Sequence, residues 1–110
     1  MRATPGARLR SPRGLHLEPA VQVHHEASRE ATVLEVRVDD RPGVVYRVCS
    51  TLAHLDLTVR SAHLATLGPQ AVDVFYVQEQ SAGILSEERA ASAAHAIREA
   101  LVRTYTDREG

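Results

Sequence analysis

A chain of 110 residues and 12.0 kDa, 44% apolar but with only 4% aromatics and no Trp, can build one domain whose core must be Val, Leu, Ile and Ala. A net charge of −1 leaves no basic excess to grip nucleic acid, and no apolar run approaches the ~20 residues of a membrane-spanning helix. The single cysteine, Cys49, excludes an intramolecular disulfide and fits a reducing, cytoplasmic compartment.

All 13 basic residues are arginine, and Arg2, Arg8, Arg10 and Arg13 fall in an aperiodic N-terminal stretch with Pro5 and Pro12. Residues 1–18 therefore read as a disordered linker or tail. No apolar run follows those arginines, so a secretory signal is not expected. The domain is expected over residues 19–105, with a frayed end at 106–110.

Residues 20–25 (AVQVHH) alternate weakly, with Val21 and Val23 on one face. Residues 32–38 (TVLEVRV) alternate strongly: Leu34, Val36 and Val38 share a face that Glu35 and Arg37 avoid. The short EASRE turn between them predicts an antiparallel hairpin. Asp39-Asp40-Arg41-Pro42-Gly43 then breaks the strand. Pro suits a helix start and Asp40 is a candidate cap. The spacing predicts a helix over residues 44–55, with Val45, Val48, Leu52 and Leu55 as its buried stripe.

Residues 56–67 read as a strand whose apolar parity changes: Leu57 and Val59 on one side of the change, Ala62, Leu64 and Thr66 on the other. A bulge near Arg60 and Ser61 restores a single face. Gly68-Pro69-Gln70 is a hairpin turn, and residues 71–80 form a strand that is nearly all apolar through Val77. Val74 and Tyr76, opposite the core face, hint at a partner on the sheet. Ser86 caps a second helix with Glu87 and Glu88 in its first turn, running to about Arg103 with Ala90, Ala94, Ile97 and Leu101 in register. The fold class is α+β: a four-stranded antiparallel sheet with two helices on one face, ordered ββαββα, a ferredoxin-like sandwich. That sandwich ordinarily closes with a strand after its second helix. Here the first strand can take that edge, because it would also run antiparallel to residues 32–38.

Catalytic groups are not expected. His24 and His25 are adjacent on a strand and point to opposite faces, and His54, His63 and His95 fall on separate elements, so no metal site or cofactor is predicted. Cys49 lies inside a helix rather than at its N-terminus, where a thiolate would be stabilised. Asp39 and Asp40 are explained by loop capping.

The informative segment is Asp40-Arg41-Pro42-Gly43. Gly43 lets a ligand or neighbouring backbone approach, and the N–H groups of Val44 and Val45 open a helix, where they can receive a carboxylate or amide oxygen. The same segment also reads as a plain strand-to-helix connection. DDRPGVVYRV, then TVRSAHLAT, then AVDVFYV resemble an ACT domain over about residues 31–102, and in particular the C-terminal ACT domain of bifunctional PII uridylyltransferase/uridylyl-removing enzymes. The resemblance implies a non-catalytic regulatory module of a larger enzyme, paired with a second copy and binding an amino acid, glutamine, to report nitrogen status. The ligand loop it implies is Asp40, Arg41, Pro42, Gly43, Val44 and Val45. The opposing wall comes from Thr58, Ser61 and His63, often of the partner chain. A ligand-free dimerisation module, or the ACT domain of another enzyme such as a (p)ppGpp synthetase, also fits.

Overall fold

The computed structural model describes residues 18–25, 28–40, 42–81 and 83–109, with side chains through residue 103. The tail expected over residues 1–18 lies, but for Glu18, outside the described residues, and so does Arg41. Among the described residues the order is β1 (Ala20–His24), β2 (Thr32–Asp39), α1 (Val44–His54), β3 (Leu57–Leu67), β4 (Gln70–Glu79) and α2 (Glu87–Glu109). This is the expected ββαββα order. The four strands form one antiparallel sheet in the spatial order β1-β2-β4-β3.

Alternation explains which face the helices cover. Leu34, Val36 and Val38 of β2 and Ala71, Phe75 and Val77 of β4 are buried against them, joined by Leu57 at the start of β3. β1 takes the outer edge beside β2, with Val21 opposite Val36 and Val23 opposite Leu34. The edge strand of the sandwich is thus supplied from before the core. β3 carries the expected irregularity: its register against β4 shifts between Val59 and Ser61, which returns Ala62, Leu64 and Thr66 to the helix-facing side.

Both helices differ from expectation in phase. The stripe of α1 is Val44, Val48 and Leu52; Val45 is 36% exposed and Leu55 only partly buried. Burial at i, i+4 and i+8 follows from the helix beginning one residue after Gly43, which brings Val44 under the sheet. In α2, Ala90, Ala93, Ile97 and Leu101 are fully buried, while Ala94 is half-buried at the margin of the same stripe. Small Ala side chains let α2 lie close to the sheet. The helix runs to Glu109, past the end expected near Arg103.

Ser86 caps α2 as expected, its Oγ accepting the Arg89 N–H at 3.1 Å. The cap expected from Asp40 on α1 is absent. The N-cap of α1 is Gly43, which has no side chain to bond with. Arg89 ties three elements together: its guanidinium donates to both Glu79 carboxylate oxygens (3.1 and 3.2 Å) and to the Leu55 carbonyl (2.5 Å). Among the described residues, no helix is long and apolar enough to cross a membrane.

Candidate functional site

The β2–α1 connection is set by Gly43. It sits at φ +87°, a left-handed conformation that side chains disfavour, and a Cβ there would meet nothing within 4 Å. Gly43 is therefore required by backbone conformation rather than by crowding. It also leaves the first turn of α1 without a side-chain cap. The strand end is held in place by the Asp40 N–H, which donates to the Pro69 carbonyl of the β3–β4 turn at 3.0 Å.

Beside this turn lies an open cavity of about 460 Å³, within the roughly 300–1,000 Å³ range of small-molecule sites. Residues 43–46 form one wall and residues 64–66 of β3 the other. Ala71 and Asp73 line the β4 side, and Asp40 stands at the mouth. The cavity exists because neither helix covers β3 beyond its bulge: Leu64 is 57% exposed on the helix-facing side.

The structure brings together Asp40, Gly43, Val44 and Val45 from the loop read in the sequence. Pro42 is exposed in the turn just before α1 and is not part of the lining. Thr58, Ser61 and His63 lie elsewhere. They pair with Gln78, Tyr76 and Val74 of β4, whose parity is opposite to that of buried Phe75 and Val77, so they project from the open face of the sheet. His63 there packs edge-on against Tyr76, with ring centroids 5.6 Å apart. Within one chain these three cannot share a ligand with Gly43. The β3 residues that line the cavity within one chain are 64–66.

Asp73 is the site residue that sequence reading passed over. It is 4% exposed, on the same strand face as Ala71 and Phe75. Burial, aided by the nearby Asp40 carboxylate, pushes its carboxyl above the usual aspartate range, against a backbone hydrogen bond from Ala65 that pulls it down. Its parity was a usable signal: a carboxylate in the inward row 71, 73, 75, 77 needs a reason to be there. Among the described residues no three His, Cys, Asp or Glu side chains converge as metal ligands would.

The ACT domain family model matches residues 32–87, from β2 to the start of α2, and the chain belongs to that family. Its relatives at higher identity carry a more particular name. Bifunctional uridylyltransferase/uridylyl-removing enzymes are 46% identical over 83 residues in Streptomyces coelicolor (76% of this chain, 10% of the relative). They are 45% identical over 67 residues in Gluconobacter oxydans (61% and 7%) and 40% over 73 residues in Caulobacter vibrioides (66% and 8%). The chain thus spans about a tenth or less of the length of these relatives. A solved structure titled as an unknown protein from Galdieria sulphuraria shares the fold, with a TM-score of 0.51 at 21% identity over 64% of this chain and 39% of that one.

Proposed function

We propose that this chain is the amino-acid-sensing ACT domain of a larger enzyme of the uridylyltransferase/uridylyl-removing kind, with glutamine as its ligand and nitrogen signalling through PII as its output. The observation that carries the reading is the uncapped start of α1, opened by Gly43 onto a cavity with a carboxylate at its mouth. An amino acid needs donors for its carboxylate and acceptors for its ammonium. The amides of the first helical turn are the donors, reinforced by the helix dipole. Asp40 is an acceptor. The domain performs neither transfer nor removal itself; it biases those reactions in the parent, in the cytoplasm. Transfer of an adenylyl group in the parent is compatible with the same sensing step.

The domain works as a dimer in this reading. Tyr46 (74% exposed) and Leu64 (57%) line the cavity with exposed apolar surface that a second copy would cover. A pure association module would need the same surface and no ligand. Calorimetry of the 110-residue chain with glutamine separates the two. Saturable heat that disappears in Gly43→Asp, whose carboxylate competes for the helix-start amides, supports sensing. No heat from any amino acid leaves only the association module.

A further inference from the structure

We propose that Asp73 selects the ligand by charge: the cavity takes a zwitterionic amino acid with its ammonium seated on Asp73, and rejects the same molecule once its amino group is acylated. The inference rests on the sensing reading and adds the chemical class that the site admits.

Asp73 is 4% exposed, yet it is among the residues lining a cavity open to solvent. Among the described residues, no cation stands against Asp73. Its cross-strand neighbours are Val36 on β2 and Leu64 on β3, and α1 contributes Val44 and Tyr46 to the same cavity. The one charged group beside it, among the described residues, is the Asp40 carboxylate. Two carboxylates thus converge on one cavity, across from the amide-lined start of α1. A carboxylate buried among Val, Leu and Ala with one backbone donor is costly unless something compensates it. A ligand ammonium does so, as a donor and as a charge. A ligand carboxylate cannot take that place, since it would meet two like charges. The arrangement orients an amino acid with its carboxylate at the helix start and its ammonium towards β4.

A further consequence is proton balance. Asp73 holds its proton more tightly than an ordinary aspartate because of burial and Asp40. Seating an ammonium requires the ionised form, so whatever fraction is protonated before binding, Asp73–COOH, becomes Asp73–COO⁻ and the proton passes to the buffer.

The test compares glutamine and N-acetylglutamine on the full 110-residue chain by calorimetry, in two buffers of different ionisation enthalpy. The wild-type chain should bind glutamine roughly 10- to 100-fold more tightly than N-acetylglutamine, the factor expected for a hydrogen bond to a charged group. The glutamine heat should vary with the buffer in the sense of proton release, increasingly so towards acid pH. Asp73→Asn, which keeps the shape, should erase most of the preference by weakening glutamine alone. Equal affinity for the two ligands, which needs no variant, or an Asp73→Asn chain that keeps the full preference, overturns the proposal while leaving sensing intact. A wild-type chain silent to every amino acid removes the sensing reading, and the charge selector with it.

Discussion

Replacing Gly43 by alanine separates backbone strain from occupancy of the cavity. At φ +87° an L-residue costs roughly 1–2 kcal/mol. Alanine recovers about 0.4–1 kcal/mol of that by restricting the unfolded chain. No steric charge is added, because the new Cβ would meet nothing within 4 Å. The net loss is about 1 kcal/mol, which for a domain of this size lowers Tm by roughly 4–8 °C. Gly68→Ala is the control: φ is +62°, the Cβ also has open space, and the residue does not line the cavity. Both variants should therefore melt earlier by similar amounts in a circular-dichroism melt. Only Gly43→Ala, whose methyl stands beside the helix-start amides, should also weaken glutamine binding by calorimetry. An unchanged Tm in Gly43→Ala would show that the turn relaxes freely. Equal loss of binding in both variants would show that the effect comes from stability and not from the cavity.

Further outcomes follow from the same geometry. Phe75→Ala removes, at the centre of β4, the largest fully buried side chain among the described residues and should cost about 3–5 kcal/mol, read as a shifted denaturant midpoint. Asp56 holds φ +62° just after the α1 C-cap, so Asp56→Gly should stabilise the chain by roughly 0.5–1 kcal/mol in the same assay. Glu35 accepts Arg37 Nε at 2.6 Å and pairs with His24 Nε2 at 2.9 Å on the open sheet face. Arg37 first and His24 second hold its carboxyl below the ordinary value of 4.5. A depressed carboxylate adds stability that is present above 4.5 and is lost as pH falls through the lowered value. Melts between pH 5 and pH 2, roughly, should thus show a shallower acid loss in Glu35→Gln than in the wild type; identical curves would refute the pairing.

Much of this architecture can be read from the residues because alternation is a strong signal where one sheet face is buried. The parity change in β3 located its bulge at Arg60 and Ser61, where the register does shift. The glycine turn located the cavity. Helix phase was less legible. Val44 and Val45 are chemically identical, and only the start of α1 at Gly43 decides which is buried under the sheet and which stays exposed. Ala93 and Ala94 pose the same ambiguity in α2. Thr58, Ser61 and His63 carry the polar chemistry of β3, but side-chain parity puts them on the other face of the sheet, and the segment that reaches the cavity, Leu64-Ala65-Thr66, is mostly apolar. Asp73 was hidden by its apolar neighbours; its position in the inward row mattered more than the strand's average composition.

The origin of the edge strand has a kinetic consequence. β1 pairs with β2 through a connection of a few residues, from His24 to Thr32, whereas a strand placed after Glu109 would have to return across some 70 residues to reach Asp39. Closing the short loop costs less entropy and lowers the mean separation of contacting residues, which speeds folding. On the ribosome the β1–β2 hairpin can form before α1 has been made. Strand β2, the central scaffold on which β4 later docks, is then already shielded on one flank while its other flank waits for the rest of the chain.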